Sequence, residues 1–274
     1  MVKLLATDVD GTLLNSSHQI SPRTQAAFQA AKDAGLAVIA ISGRQPYSIS
    51  GIVRGTALDG DAIGSNGAVA MNLPTRELLF EELMELSAQQ LIADEMRAIF
   101  RGVKLVSVRS PGDAYIAEEG YEGLHDPGAQ VAGWSVRQWV GPRSEVLAER
   151  SLKLVLRDDS VQPADLLEAA RDLAVPGTHA TTSGAPFLEV GRAGVTKASA
   201  LEKYCAARGI AREEVVVFGD NLNDVEMLRW AGLGVAMANG EPEARAAADH
   251  VTLRNDDDGV AVVIEEILRS AGQR

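Results

Sequence analysis

The 274-residue sequence has only one cysteine and no long uninterrupted apolar run. A single thiol, Cys205, excludes a disulfide framework within the chain and fits a reducing compartment. No segment offers the roughly 20 consecutive apolar residues that a membrane-spanning helix requires. The apolar stretch before Asp8 is also too short for a signal peptide. We therefore expect a soluble, cytoplasmic protein.

Positive charge is scarce, with 26 Lys and Arg against 38 Asp and Glu and a formal net charge of -12. Because phosphate groups would be repelled, the composition argues against a general affinity for nucleic acid or for anionic membranes. An anionic substrate would need a local positive site. Since 46% of the residues are hydrophobic, the chain can bury a large core, as one big domain or two modest ones.

Short apolar runs alternate with helical patterns at both ends of the sequence, which predicts an α/β fold with a parallel sheet. The first two predicted strands are Lys3–Thr7 and Leu36–Ile41. Between about 81 and 190, hairpin patterns and grouped helices indicate an α+β insert instead. We predict a core made of residues 1–80 and 191–274, with residues 81–190 as an inserted domain.

Two acidic motifs follow apolar runs, at positions where strands of a parallel sheet would end. Asp8 and Asp10 in DVDGTL come after the first strand, and Asp220 and Asp224 in GDNLND come after VVVF. Ligands bind at that edge of such sheets, and four carboxylates there would repel one another without a cation. Oxygen ligands favour Mg²⁺. A solvated turn and a helix N-terminal cap are the alternatives for the two motifs.

Two further segments can hold phosphate at the same edge. Ser42 and Gly43 end the strand AVIAIS, where a hydroxyl and backbone N–H groups at the start of a helix can hold phosphate oxygens. Lys197, in the first turn of the helix after the insert, supplies positive charge. Either segment alone would more often be an ordinary loop or a solvated lysine. Their predicted place beside both acidic motifs favours a phosphate site.

The ordered set DVDGTL, ISGR, VTKASAL and GDNLND resembles the haloacid dehalogenase superfamily. The long insert resembles that of the Cof-type phosphatases of subfamily IIB, which carry a type C2B cap. The resemblance implies an α/β fold, with a Rossmann-like parallel-sheet core and an inserted α+β cap. Ala198 stands where relatives commonly have glycine, and Ser42 where many have threonine. Neither change removes a functional group.

The resemblance also implies roles for the motif residues. Asp8 would be the nucleophile and Asp10 the general acid and base. Magnesium would be held by the carboxylates of Asp8 and Asp220 and the backbone carbonyl of Asp10, with Asp224 supporting. The residues implied to bind phosphate are Ser42, Gly43, Lys197 and Asn223, of which Asn223 also supports the metal.

The expected function is Mg²⁺-dependent hydrolysis of small phosphorylated metabolites, with sugar phosphates first, through an aspartyl-phosphate. A phosphosugar mutase is one alternative; it would need cap arginines, for which Arg101, Arg109 and Arg137 are available. A binding module without turnover is another. The sequence leaves open whether the chain is a monomer or a homodimer.

Aromatic residues of the insert are candidates for lining the substrate pocket, although such residues more often belong to a core. They are Tyr115, Tyr121, Trp134 and Trp139.

Overall fold

The computed structural model describes residues 1–121 and 135–272, in which the chain forms two β-sheets with helices packed against them. The strands are β1 (Leu4–Thr7), β2 (Ala37–Ile41), β3 (Asp61–Gly64), β4 (Val69–Asn72), β5 (Glu77–Glu81), β6 (Lys104–Arg109), β7 (Ala114–Glu118), β8 (Arg137–Gly141), β9 (Lys153–Arg157), β10 (Thr178–Thr181), β11 (Leu188–Arg192), β12 (Val215–Gly219), β13 (Leu233–Ala236) and β14 (His250–Val251). The helices are α1 (Pro22–Asp33), α2 (Pro46–Val53), α3 (Leu86–Ile99), α4 (Arg143–Val146), α5 (Pro163–Leu173), α6 (Lys197–Ala206), α7 (Val225–Trp230), α8 (Pro242–Ala247) and α9 (Gly259–Gly272).

The first sheet has the order β14-β13-β12-β1-β2-β3-β4-β5. Its strands run parallel from β14 to β3, and β4 and β5 extend it in antiparallel fashion. The reversal occurs at the Asn66-Gly67 turn, where Asn66 has a φ of 55° and Gly67 a φ of 104°. The predicted fold class, a parallel-sheet α/β core with an inserted α+β region, is confirmed.

The central strand β1 lies between β12 and β2, so both ends of the sequence meet in one sheet. Leu5 pairs with Val216 on one side and with Val38 on the other. These side chains are fully or almost fully buried, as expected for strands covered by helices on both faces.

Helix α1 connects β1 to β2 with conventional ends. The Ser21 hydroxyl accepts a hydrogen bond from the Thr24 N–H at 3.1 Å, and Pro22 occupies the first turn. Phe28 and Ala31 face the core. Gly35, with a φ of 87°, follows the helix and turns the chain into β2.

The second sheet has the order β10-β11-β9-β6-β7-β8 and is antiparallel except between β7 and β8. One of its faces packs against α3 and α5 through residues such as Ile92, Leu105 and Leu166. The other face, which includes Val106 and Val155, contacts the first sheet. We refer to the second sheet and its helices as the cap.

The ends of two strands limit where the boundaries between the first sheet and the cap can lie. Strand β5 of the first sheet ends at Glu81, and strand β11 of the cap ends at Arg192. The boundaries of 80/81 and 190/191 remain a prediction close to these strand ends. None of the helices within residues 1–121 and 135–272 combines the length and apolarity that spanning a bilayer requires.

Candidate active site

The carboxyl ends of β1, β2 and β12 bring three predicted segments together at one edge of the first sheet. Asp8 follows β1, Ser42 follows β2 and Asp220 follows β12. The Asp8 N–H donates to the Phe218 carbonyl at 2.9 Å, which continues the sheet ladder to the point where the acidic segments begin. The two acidic motifs are therefore neighbours, as the sequence predicted.

The turn after β1 closely approaches the second acidic segment. Gly11 has a φ of 79°, and a Cβ atom at this position would lie 2.3 Å from Asp220 Oδ2. Only glycine fits both the conformation and the contact. Next along the turn, the Thr12 hydroxyl donates to Asp220 Oδ1 at 2.6 Å. These contacts fix the position of one carboxylate relative to the other motif.

Lys197 is the cation at the centre of the acidic cluster. Its Nζ lies 2.6 Å from Asp8 Oδ1 and 2.6 Å from Asp224 Oδ1, and its side chain is only 1% exposed. Burial lowers the pKa of this ammonium group, but the charges of Asp224 and Asp8 outweigh burial and raise it above its usual value. The lysine therefore stays charged and joins two motifs that are far apart in sequence.

Asp224 anchors the second motif. Its Oδ2 accepts hydrogen bonds from the backbone N–H groups of Asp220 and Asn221, both at 2.9 Å, while Oδ1 accepts from Lys197. Both oxygens are therefore engaged within the protein. This arrangement fits the predicted supporting role better than direct metal ligation, and it combines the cap and metal-site interpretations of this segment.

Three of the carboxylates lie close enough to hold one ion: ligand oxygens of Asp8, Asp220 and Asp224 are within 4.8 Å of one another. Burial, and then the charges of Asp224 and Asp220, raise the pKa of Asp8 well above its usual value, against the opposing charge of Lys197. Burial and Asp224 raise the pKa of Asp220 to about 7. The single positive charge of Lys197 thus does not balance the three carboxylates. A buried site made only of oxygen ligands fits a hard divalent cation.

Asp10 lies outside that cluster. Its carboxylate is paired with Arg44, whose Nε lies 2.6 Å from Oδ2 and whose Nη2 lies 2.7 Å from Oδ1. Arg44 lies in the ISGR motif, but no role was predicted for it from the sequence. The available signal was its place directly after the Ser42-Gly43 turn. The bidentate contact orients the Asp10 carboxylate toward the cavity described next.

A cavity of about 530 Å³ opens above the acidic cluster, between the first sheet and the cap. Among the predicted residues, Asp8, Asp10, Ser42, Gly43 and Asn223 line it. The Lys197 side chain lies behind Asp8 and does not form part of the cavity wall in the described residues.

Asn223 is held in place by another side chain that the sequence analysis missed. Its Nδ2 donates to Asn66 Oδ1 at 3.0 Å. Asn66 lies in the turn between β3 and β4, and its own N–H donates to the Ser42 carbonyl at 3.0 Å. Two predicted phosphate ligands, Ser42 and Asn223, are therefore connected through Asn66.

The cap contributes a buried ion pair that sequence reasoning also missed. Lys153 on β9 pairs with Glu189 on β11, and its Nζ donates to the Gly43 carbonyl at 2.8 Å. Both side chains line the cavity. The contact joins the cap to the predicted phosphate-binding turn across 110 positions of sequence, which no local pattern could have indicated.

The aromatic residues that were candidates for lining the substrate pocket differ in their positions. Tyr115 and Tyr121 line the cavity. Trp139 is not among the described lining residues; it is 37% exposed, and its Nε1 donates to Glu145 at 3.0 Å. Trp134 lies outside the described residues.

Comparison with known proteins identifies the family of the chain. A family model described as haloacid dehalogenase-like hydrolase matches residues 5–264. The chain belongs to this family. It is 28% identical to pyridoxal phosphate phosphatase YbhA of Escherichia coli, over 96% of this chain and 97% of that protein. It is 27% identical to 5-amino-6-(5-phospho-D-ribitylamino)uracil phosphatase YcsE of Bacillus subtilis, over 96% and 94%.

Among solved structures, SMU.1108c of Streptococcus mutans shares the fold, with a TM-score of 0.82 at 23% identity over 98% of this chain and all of that one. The resemblance to the haloacid dehalogenase family is confirmed by the family match. The prediction of a phosphoric monoester hydrolase is confirmed at the level of that family and of its named phosphatases.

None of the three arginines considered for a mutase is among the described residues that line the cavity. Arg109 is buried, and its guanidinium donates to backbone carbonyls of residues 145, 146, 149 and 150, so it stabilises the loop before β9. Arg101 and Arg137 are not among the described residues of the cavity wall. Among the described residues of the cavity wall, Arg44 is the one arginine, and it is paired with Asp10.

Replacing Lys197 tests the buried ion pairs. We expect Lys197→Met to lower the free energy of unfolding by about 3–5 kcal/mol, because it leaves Asp8 and Asp224 buried without their cation. Urea denaturation without added metal measures this change. Adding Asp224→Asn to the variant should restore part of the loss.

The matched control is Lys203→Met on the same helix. Its side chain is 48% exposed and paired with Glu82, so the expected loss is below about 1 kcal/mol. Equal losses for the two lysine variants would contradict a central role for Lys197.

The raised pKa of Asp220 predicts how pH affects stability in EDTA. Below the usual pKa of 3.8 the carboxyl is protonated in both states. As the pH rises from there to about 7, the unfolded chain ionises while the folded chain retains its proton, so stability is lost through this window. Mg²⁺ competes with that proton and should stabilise more at pH 8 than at pH 5.

Thermal unfolding with and without Mg²⁺ measures the difference. We expect the gain in melting temperature on adding Mg²⁺ to be larger at pH 8 than at pH 5 by at least about 3 °C. This shift corresponds to about 1.4 kcal/mol of free energy of unfolding, which is the free-energy equivalent of roughly one pKa unit. Because the pKa of Asp8 is also raised, Asp220→Asn should reduce this dependence on pH without abolishing it. An equal gain at both pH values would argue against Mg²⁺ binding at this carboxylate.

Proposed function

We propose that this hydrolase removes the phosphoryl group from small phosphorylated metabolites, with Asp8 as nucleophile and Mg²⁺ as cofactor. One observation carries the proposal. Asp8 and Asp10, from a single turn, line the same cavity as Ser42 and Asn223, while Asp8 is also part of the buried acidic cluster. A nucleophile, an acid, phosphate ligands and a cation site therefore converge on one small volume.

In the first step, Asp8 attacks phosphorus. Its Oδ1 is held by Lys197, which leaves Oδ2 for the attack and fixes the orientation of the carboxylate. Asp10, which must separate from Arg44 and take up a proton before this step, gives that proton to the departing oxygen, and an aspartyl-phosphate remains on Asp8. In the second step, Asp10 takes a proton from water, which attacks the phosphorus and releases inorganic phosphate.

Metal and phosphate ligands serve the same two steps. Asp8 and Asp220, with the Asp10 backbone carbonyl, would hold Mg²⁺, which when bound offsets negative charge on the phosphoryl oxygens. The Ser42 hydroxyl, the backbone at Gly43 and the Asn223 amide would bind the oxygens of the phosphoryl group. Arg44 keeps the Asp10 carboxylate at the cavity until the leaving group competes for it.

The size of the substrate follows from the cap. A cavity of about 530 Å³ covered by a second sheet suits a small molecule and excludes polymers. The relatives YbhA and YcsE are named for two different small phosphorylated compounds. Sugar phosphates, placed first by the sequence analysis, remain a prediction to be ranked by experiment.

Phosphate release tests this function. The purified chain is given a panel of sugar phosphates, nucleotides and p-nitrophenyl phosphate with Mg²⁺ or with EDTA. We expect turnover that requires Mg²⁺ and falls at least 1000-fold, a loss of about 4 kcal/mol, in Asp8→Asn, because the amide is not a nucleophile.

Asp33→Asn is the matched control, since Asp33 is an exposed aspartate on α1 far from the cavity. It should keep full activity. Residual activity of Asp8→Asn equal to that of the control would rule out Asp8 as the nucleophile. Activity seen only when a sugar bisphosphate is supplied would favour a mutase.

Asp10→Asn separates the two steps. With a substrate whose leaving group needs no protonation, such as p-nitrophenyl phosphate, we expect formation of the aspartyl-phosphate to be slowed less than its hydrolysis. The phosphorylated protein should then accumulate and be detected by intact mass spectrometry as an acid-stable, hydroxylamine-sensitive adduct. No accumulation, with turnover unchanged, would remove Asp10 from the reaction.

A further inference from the structure

The part of the cap sheet that lies above the catalytic edge is largely apolar. Strand pairing arranges its side chains in two rows that cross β9, β6 and β7. In one row Val155 lies opposite Val106, and in the other Lys153, Val108 and Tyr115 are successive neighbours. All five line the cavity.

Polar groups are confined to the two ends of these rows. Glu189 extends the first row beyond Val155, next to Lys153, with which it is paired. Gln138 on β8 extends the second row beyond Tyr115. Between these ends lies a platform of Val106, Val108, Val155 and the Tyr115 ring. Because strands are about 4.8 Å apart, the platform is about 10 Å wide from β9 to β7.

Two more aromatic side chains border this platform. Phe187 and Tyr121 line the same cavity and pack against the apolar cluster to which the three valines belong. The Tyr115 hydroxyl bonds to that of Tyr47 at 3.0 Å, so its polar end is directed to the first sheet. Burial raises the pKa of Tyr121 to about 12, which agrees with an apolar setting.

We infer that the preferred substrate is a phosphate monoester whose leaving group carries a flat, largely apolar ring on a short arm. This inference rests on the proposed function and deepens it. A planar ring can lie against the valine platform while the phosphate reaches the Asp8 edge opposite. Within the described rows, hydrogen-bonding substituents on the ring would be met at the ends, by Lys153 and Glu189 or by Gln138.

An unmodified sugar fits this surface less well. Its hydroxyl groups point outward all round the ring, so several would face valine side chains and lose the hydrogen bonds they make with water. Each such loss costs roughly tenfold in affinity. This inference therefore places phosphates with a flat apolar ring ahead of sugar phosphates, which were expected first from the sequence.

Four primary alkyl phosphates give a fair test, because their leaving alcohols differ little in basicity. They are benzyl phosphate, cyclohexylmethyl phosphate, glucose 6-phosphate and glycerol 3-phosphate. We expect kcat/KM for benzyl phosphate to exceed that for glucose 6-phosphate at least about tenfold. Cyclohexylmethyl phosphate, apolar but not flat, should fall between them. Equal or better hydrolysis of glucose 6-phosphate would overturn the inference and leave the proposed function intact.

Val155→Thr probes the platform without changing its volume, because it replaces a methyl group by a hydroxyl. The variant should reduce the ratio of kcat/KM for benzyl phosphate over glucose 6-phosphate about threefold to tenfold. Val190→Thr is the matched control: this valine is buried on the opposite face of the cap sheet, so it should leave the ratio unchanged. Equal effects of both variants would contradict the role of the platform.

Binding to Asp8→Asn separates this inference from the proposed mechanism. Calorimetry with benzyl phosphate and glucose 6-phosphate, in the presence of Mg²⁺, reads the preference without turnover. Tighter binding of benzyl phosphate by this variant would support the platform even if the parent chain hydrolyses none of the four compounds, because that lack of turnover would count against the proposed function and not against the platform. Equal binding would refute the platform, whatever the turnover.

Discussion

The site depends on one buried cation. Lys197 contacts Asp8 and Asp224 at 2.6 Å each and is almost completely shielded from water. Its charge allows two strands, β1 and β12, to end in carboxylates within one small volume. The same contact leaves one Asp8 oxygen exposed to the cavity and ties the helix after the cap to the sheet. Nucleophile orientation and core stability thus have a common origin.

Much of this arrangement could be predicted because parallel sheets place their strand ends on one edge. The apolar runs before Asp8, Ser42 and Asp220 identified those ends, and Lys197 was predicted because it begins the helix that returns to the same sheet. The Asp10–Arg44 pair could not be predicted, since both side chains are half-buried and their rotamers depend on how the two turns pack against each other. Nor could the contact of Lys153 with Gly43, because periodicity describes each strand and not how the cap sheet lies over the first.

One face of the cap sheet packs in the cap core, and the other lines the cavity. Alternation along β9 sends Leu154 and Leu156 into the core beneath α3 and α5, whereas Lys153 and Val155 face the cavity. Substitutions on the cavity face can change substrate choice without emptying the cap core. The catalytic edge, by contrast, is held by charge pairs and by Gly11, which leave little freedom. Variation in substrate among relatives with this fold is therefore expected to concentrate in the cap.

Charge balance gives the strongest argument for a metal. The described cations around the cavity are all committed to carboxylates: Arg44 to Asp10, Lys153 to Glu189, and Lys197 to Asp8 and Asp224. Adding Asp220 gives five carboxylates against three cations, a net charge of -2 when all are ionised, in a protein of net charge -12. A phosphate dianion entering there would meet repulsion that these side chains do not offset. A divalent cation among the buried aspartates would supply the missing charge at the position where phosphate must approach Asp8.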